Sequence, residues 1–257
     1  MNPEERKWDN DTVSVIMPAY YSEDTISPAI ESVMAQTYSN WELLIYDDCS
    51  GDRTLDIAME YSNKDDRITV VKGNLNSGVA SARNKAVKMA GGRYISFLDS
   101  DDLWKTDKLQ KQIAFMKRND CAMCYTSYET MDSHGNGTGK IITGLHKEAD
   151  YESLLRNNYI GTLTVIIDRK YINDFHFTSN RHEDYLLWLD FVKNGYRLMG
   201  LDESLAYYRV SNRSLSGNKI KAAIWRWKVY SKIEKLGIAR SLYYMFLYTM
   251  NSIAKRI

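Results

Sequence analysis

Carboxylates recur in this sequence directly after short apolar runs. Asp47-Asp48 follows Trp41–Tyr46, Asp99-Ser100-Asp101-Asp102 follows Tyr94–Leu98, and Glu183-Asp184 opens an apolar helical stretch. Taken singly, Asp47-Asp48 also reads as a turn and Glu183-Asp184 as first-turn acids favoured by a helix dipole. Several carboxylates gathered at one edge of a protein repel unless a cation or a donor-rich ligand lies among them. A hard divalent cation, Mn²⁺ or Mg²⁺, takes oxygen ligands and often binds through one or two carboxylates plus substrate phosphates. A further carboxylate can take the proton of an attacking hydroxyl. The histidines (134, 146, 176 and 182) do not form a zinc pattern. Cys121-Ala122-Met123-Cys124 has no second pair and reads as buried strand cysteines. Gly135–Lys140 lacks phosphate-loop spacing and does not open a helix, so it reads as a hairpin or mobile loop.

The elements that must position these groups alternate between two hydrophobic periods. Val13–Met17 is a short buried strand stopped by Pro18, and Ile26, Ile30, Val33 and Met34 then recur on one helical face. Trp41–Tyr46 is a second strand, and Thr54 can cap a helix carrying Leu55, Ala58, Met59 and Tyr61. Ile68–Val71 is a third strand, and Val79–Met89 a third helix closed by Gly91-Gly92, a C-cap signal. Tyr94–Leu98 is a fourth strand, followed by a helix with Leu109, Ile113 and Met116 on one face and a strand near Ala122–Tyr125. Strands separated by helices imply right-handed crossovers and a mainly parallel sheet. Ligands of such sheets bind beyond the carboxyl ends of the strands, where Pro18-Ala19-Tyr20, Asp47-Asp48 and Asp99–Asp102 fall. The second half offers a strand at Leu163–Ile167, a helix at Arg181–Val192 and an extended return at Gly200–Tyr208.

The chain has 257 residues, with 34 Lys+Arg against 33 Asp+Glu. That size suits one core-forming domain with a small appendage, and the balance argues against a dedicated nucleic-acid binder. No apolar run reaches the roughly 18 residues of a membrane span, the polar N-terminus does not resemble a signal peptide, and three cysteines suit a reducing cytoplasm. The net charge of +1 conceals a division: residues 217–257 carry +8, leaving −7 on the preceding 216. We therefore read residues 1–216 as the main domain and 217–257 as a basic, aromatic-rich helical tail.

The ordered set VSVIMPAYYSEDTI, WELLIYDDCSGDRT, NLNSGVASARNKAVKMAGGRYISFLDSDD, HEDYLLWLDF and YRVSNRSLSGNK resembles the family 2 glycosyltransferases of GT-A fold, over about residues 12–219. Within that family it is similar to bacterial enzymes of O-antigen, capsule and teichuronic acid synthesis. The resemblance implies a Rossmann-like, mainly parallel mixed α/β sheet flanked by helices, and inverting transfer from a UDP-sugar to a glycan hydroxyl. It places Ala19, Tyr20 and Asp48 around the uracil, with Asp48 accepting from the base N3–H, and counts Pro18 among the substrate-binding residues. Asn76, Gly78 and Arg83 fall in an N-x-G-x-x-x-A-R-N stretch whose Arg contacts the nucleotide. Asp99-Ser100-Asp101 matches the D-x-D motif, with Asp101 or Asp102 on Mn²⁺ or Mg²⁺ and Asp99 towards the ribose. Asp184, beside Glu183, matches the catalytic base. Arg209 and the loop through Ser214 match a segment that closes over the diphosphate; Ser211 stands where many relatives carry a metal-binding His.

Many such relatives extend a polyprenyl-pyrophosphate-linked sugar, so the resemblance implies a lipid-linked glycan acceptor and a cytoplasmic enzyme peripheral to the inner face of the plasma membrane. Trp225, Trp227, Tyr230, Tyr243, Tyr244, Phe246 and Tyr248 are interleaved with the nine tail cations. That pattern suits a helix in the interface of an anionic membrane, or equally a terminal helix pair packed on the domain or in a homodimer contact. Two rival functions remain at this point: a nucleotidyltransferase, though Ala19–Asp24 lacks its Gly-rich basic loop, and a catalytically silent nucleotide-sugar-binding scaffold.

Overall fold

The structure, a computed structural model, describes residues 9–143, 147–179, 182–210 and 219–254. His146, Arg181 and the segment from Ser211 through Ser214, on which expectations rested, lie outside the described residues.

Strands and helices alternate through β1 (Asp9–Ala19), α1 (Ile26–Met34), β2 (Trp41–Asp47), α2 (Thr54–Ser62), β3 (Ile68–Lys72), α3 (Val79–Met89) and β4 (Gly92–Phe97). There follow β5 (Leu103–Trp104), α4 (Lys108–Asn119), the hairpin β6 (Met123–Met131) and β7 (Gly137–Ile142), β8 (Glu148–Ala149) and α5 (Tyr151–Arg156). The last elements are β9 (Ile166–Asp168), α6 (Glu183–Lys193), β10 (Leu198–Arg209), α7 (Lys219–Lys228) and α8 (Ile238–Ala254). The sheet runs β3-β2-β1-β4-β9-β6-β10-β5. Its first four strands are parallel; β9 runs antiparallel to both β4 and β6, so the sheet is mixed.

Period-two alternation sorts β1 between two cores. Val13, Val15 and Met17 join Ile30 of α1 and Ile113 of α4 on one face, while Ile16 joins Ala82 of α3 and Trp188 of α6 on the other. All three apolar residues expected on the α4 face are buried.

Four local expectations need correction. Pro18 does not stop β1; it pairs with Tyr46 of β2. Its missing N–H lies on the side where Ile16 accepts from Leu98, beyond the end of β4, so no ladder bond is lost. Thr54 is the first helical residue rather than the cap. Its hydroxyl accepts from the Ser22 N–H at 2.8 Å, tying the loop after β1 to α2. Gly91-Gly92 is not a left-handed cap, because α3 leaves through an extended Ala90. Gly92 is needed for close strand approach: a Cβ there would sit 2.5 Å from the Thr12 carbonyl. The segment Leu163–Ile167 begins as a 3-10 turn, Thr162–Thr164, closed by both the amide and hydroxyl of Thr164 on the Gly161 carbonyl, and only then enters β9.

The basic tail packs on the body as a terminal helix pair. Trp225, Val229, Tyr230 and Tyr244 are buried in the same core as Leu154 of α5 and Tyr185 of α6. The Tyr230 hydroxyl donates to the Leu155 carbonyl at 2.6 Å, and Arg240 pairs with Glu152 at 2.8 Å. Among the described residues no helix is long and apolar enough to cross a membrane.

One core residue breaks the burial rules. Lys108 is fully buried, its ammonium 4.0 Å above the Trp104 ring and 3.3 Å from the Ser96 hydroxyl. Burial lowers its pKa from 10.5 to about 7. Between those values the unfolded chain holds a proton that the folded one does not, so this group makes stability rise with pH. Lys108→Met is therefore expected to raise the melting temperature at pH 7 by roughly 5 °C or more and to flatten its rise towards pH 9. Calorimetry at the two pH values checks this; a lower melting temperature in the variant contradicts it.

Candidate active site

The parallel strands β1, β2 and β4 deliver their following loops to one edge of the sheet. At the ends of β1 and β2, Pro18 and Ala19 form a buried wall, and Tyr20 is exposed beside it, its ring edge-on to Tyr21 at 4.7 Å. Asp48, at the end of β2, is buried; its carboxylate accepts from the Ser77 amide at 2.9 Å, the Ser77 hydroxyl at 2.8 Å and the Gly78 amide at 2.7 Å. These donors occupy most of a carboxylate's roughly four acceptor directions, leaving about one for a ligand. Lys85 closes the network by donating to the Ser77 and Tyr46 hydroxyls, both at 3.0 Å. Gly78 adopts φ +86°, which any side chain would strain, and its amide also reaches the exposed Asn76 side chain at 3.1 Å. The expected residues Asp48, Asn76 and Gly78 thus meet in one turn, and Ser77, singled out by nothing but its place in N-x-G, completes it.

The acidic side is organised by Arg83 of α3. Its guanidinium is buried and forks between Asp99 Oδ1 at 2.6 Å and Glu183 Oε1 at 2.7 Å. Those two carboxylates raise its pKa against the opposing effect of burial. Asn84 supports it from the side by exchanging two hydrogen bonds with the Phe177 backbone, which sets the Phe177 ring beside Arg83. Arg83 therefore links two acidic elements.

Asp101 lies at the mouth of the site, Ser100 and Asp102 beneath it. Burial and the charge of Asp99 push the Asp101 carboxyl up to about 6. Burial, then Asp101 and Asp99, push Asp102 well above the usual carboxylate range. A donor set of hard oxygens that repel one another fits a divalent cation. Among the described residues no three His, Cys, Asp or Glu are grouped to hold a metal ion.

Arg209, which the resemblance places over the diphosphate, bonds to the loop after β4 and to the β6–β7 hairpin. Its amide donates to Asp102 Oδ1 at 2.8 Å, its Nε to the Asp101 carbonyl at 2.7 Å and its Nη1 to the Ser133 carbonyl at 2.9 Å. The side chain is thus spent on clamping the β6–β7 hairpin to the D-x-D loop. Asp132 shapes that hairpin by accepting from the His134 and Asn136 amides, both at 2.9 Å, so the Gly135–Lys140 run is a hairpin as expected. Cys121 and Cys124 are buried, and desolvation pushes their thiols to about 11 and about 12, consistent with inert packing.

Asp184 sits in the first turn of α6, next to Glu183. Its Oδ2 accepts from the Thr162 hydroxyl at 3.0 Å and its Oδ1 from the Tyr185 amide at 2.7 Å. Burial raises its pKa above 3.8, against the lowering by Arg83 and these hydrogen bonds. A carboxylate whose pKa is raised and which is held in one orientation is a better proton acceptor than a free aspartate. Thr162 lies just before the segment Leu163–Ile167 that reads as a strand, and nothing in the sequence singled it out; Gly161 before it was the local sign of a turn.

The model of the family described as glycosyl transferase family 2 matches residues 14–178. The chain belongs to that family. TuaG of Bacillus subtilis (strain 168), assigned by name to teichuronic acid biosynthesis, is 43% identical over 95% of this glycosyltransferase and 97% of its own length. WfgD of Escherichia coli, named a UDP-Glc:alpha-D-GlcNAc-diphosphoundecaprenol beta-1,3-glucosyltransferase, is 40% identical over 96% of both chains. Among solved structures, Staphylococcus aureus TarS 1-349 in complex with UDP-GlcNAc aligns at TM-score 0.65 and 26% identity, over 79% of this chain and 60% of that one. The mannosyltransferase PcManGT of Pyrobaculum calidifontis, with GDP-Man and Mn²⁺, aligns at TM-score 0.69 and 15% identity over 98% of this chain and 78% of its own, a likeness of fold. The glycosyltransferase thus has the mixed, helix-flanked sheet of the GT-A fold, as its motifs implied.

Proposed function

We propose that this glycosyltransferase moves a hexose or N-acetylhexosamine from a UDP-sugar, with inversion, to a hydroxyl of a polyprenyl-diphosphate-linked glycan in bacterial surface polysaccharide synthesis. The observation that carries the reading is the Arg83 fork, which joins the D-x-D loop, through Asp99, to the helix turn bearing Asp184. One basic side chain thereby sets the distance between donor loop and base. The name and full-length similarity of WfgD support the acceptor class, those of TuaG support a role in surface polysaccharide synthesis, and the TarS complex supports the uridine donor.

In this reading Tyr20 and the remaining acceptor direction of Asp48 receive the base, with Pro18 and Ala19 behind them. Asp101 and Asp102 hold Mn²⁺ or Mg²⁺, which when bound neutralises charge on the departing diphosphate. Asp99 is kept towards the donor by Arg83, and Asp184, steadied by Thr162, takes the acceptor hydroxyl proton as the hydroxyl attacks the anomeric carbon. Glu183, neutralised by Arg83, keeps a second negative charge from competing for that proton. A panel of α-linked UDP-sugars with a short lipid-diphosphate GlcNAc acceptor tests this. NMR of the product is expected to show a β linkage, whereas an α linkage or no transfer from any UDP-sugar contradicts it.

We place the enzyme at the cytoplasmic face of the membrane through its tail. Ile238, Leu242, Phe246 and Met250 repeat every four residues on α8 and are all exposed, in a segment of net charge +8. An exposed apolar stripe in a segment with a large positive charge suits an anionic lipid surface. Leu242→Ser with Phe246→Ser is expected to weaken binding to phosphatidylglycerol vesicles at least tenfold without loss of folding. Unchanged vesicle binding, or a dimer of the wild type that these substitutions dissociate, contradicts the lipid reading.

A further inference from the structure

The pair Glu183-Asp184 is flanked by two aromatic side chains, and the tail helix holds both. His182, immediately before the pair, has a left-handed backbone at φ +56° and ψ +47°, and no side-chain hydrogen bond caps the helix there. A non-glycine residue in that conformation is uncommon and strained, so surrounding contacts must keep it there. The ring of Trp225, buried on α7, lies 4.5 Å from the His182 ring at a tilt of 40°. The same indole meets Tyr185, immediately after the pair, at 6.4 Å. Its neighbour Arg226, also buried, places its guanidinium 4.2 Å over the Tyr185 ring. Tyr185 is fixed at its far end by its hydroxyl on the Leu154 carbonyl at 3.1 Å. The first turn of α6 is therefore held on its two sides by one tail helix, more than forty residues further along the chain.

We propose that Trp225 is a positioning residue for glycosyl transfer, its indole holding His182 in the left-handed turn that aims Glu183 and Asp184 into the site. This rests on Asp184 being the base. The tail is then part of the catalytic unit and not only a means of attachment. Aim at a reacting centre is sensitive, because a misplacement of about 1 Å can cost roughly a hundredfold in rate. Donor binding, built on Asp48, the Asn76–Gly78 turn and the D-x-D loop, does not touch Trp225 and should be spared.

Trp225→Leu, Trp225→Phe, His182→Ala and the pair His182→Ala/Trp225→Leu are compared in the full chain. Turnover, donor KM, UDP affinity by calorimetry and melting temperature are read for each. Trp225→Leu is expected to lower kcat at least tenfold with UDP affinity and donor KM within twofold, and Trp225→Phe to recover activity to within about threefold of wild type. The double variant is expected to be no slower than the slower single one, as for two residues acting through one contact. Unchanged kcat in folded Trp225→Leu, an equal loss of UDP affinity, or additive losses in the double variant overturn the proposal. Should Trp225→Leu not fold, the Trp225→Phe and His182→Ala results decide it: an inactive, folded Trp225→Phe or a fully active His182→Ala overturns it. Asp184→Asn in the same assay separates the two levels. If Asp184→Asn is inactive while Trp225→Leu is fully active, only the positioning role fails; an active Asp184→Asn removes the base assignment beneath it.

Discussion

Asp184→Asn is expected to lower kcat by about 10²–10⁴-fold, the usual worth of a positioned general base, with UDP affinity unchanged. The amide keeps the shape of the side chain but cannot take a proton. Stability should not suffer, and the sign follows from the pKa direction. Burial raises the Asp184 pKa above 3.8, so between the unfolded and folded values the native state holds the extra proton, and stability falls as pH rises through that window. At neutral pH the charged group is a cost that Asn removes, so the melting temperature should equal or exceed that of wild type. In the wild type, the acid limb of the kcat profile should lie above the ordinary aspartate range. Transfer retained in folded Asp184→Asn contradicts the assignment.

Arg83→Met is expected to have the largest combined effect on stability and activity. The guanidinium is buried, and both carboxylates it pairs with lie in the acidic side of the site. Removing one member of a buried ion network leaves its partners uncompensated and costs about 3 kcal/mol or more, which for a chain of this size lowers the melting temperature by roughly 10 °C. Asp99 would then repel the Asp101–Asp102 pair more strongly and Glu183 would compete with Asp184, so donor affinity and kcat should both fall. Arg83→Lys separates charge from geometry: an ammonium restores charge but cannot fork to Asp99 and Glu183 at once. It should recover most of the stability and little of the turnover. Calorimetry and single-turnover transfer check this; full activity in either variant contradicts the link between donor loop and base.

Much of the fold was legible because its first half follows simple periods. Val13, Val15 and Met17 alternate, Leu109, Ile113 and Met116 recur at helical spacing, and both sets face the core for which their pattern suits them. The acidic clusters were legible as a site because each follows an apolar strand, and parallel strands must end at one edge. What could not be read was the choice of long-range partner. Nothing local to Arg83 says that its fork ends on Glu183, one hundred positions away, and nothing local to Arg209 says that it clamps a hairpin to the D-x-D loop. Gly92 misled for a related reason: a glycine after a helix signals a cap, whereas here the Thr12 carbonyl of a distant strand excludes a Cβ. The tail was ambiguous because aromatic and basic residues suit a membrane and a protein core alike. The structure divides them, burying Trp225, Tyr230 and Tyr244 and leaving Leu242 and Phe246 exposed.

Acceptor-dependent UDP release by the full chain is the most direct test of the central claim that one acidic edge binds a metal-diphosphate donor and deprotonates an acceptor. UDP-glucose or UDP-GlcNAc, Mn²⁺ and a short lipid-diphosphate GlcNAc are supplied together, then with each omitted, with EDTA, and with Asp101→Asn in place of wild type. UDP is expected to appear rapidly only when donor, metal and acceptor are all present, and to fall at least a hundredfold with EDTA or Asp101→Asn. UDP release that is indifferent to metal, to acceptor and to Asp101 would contradict it.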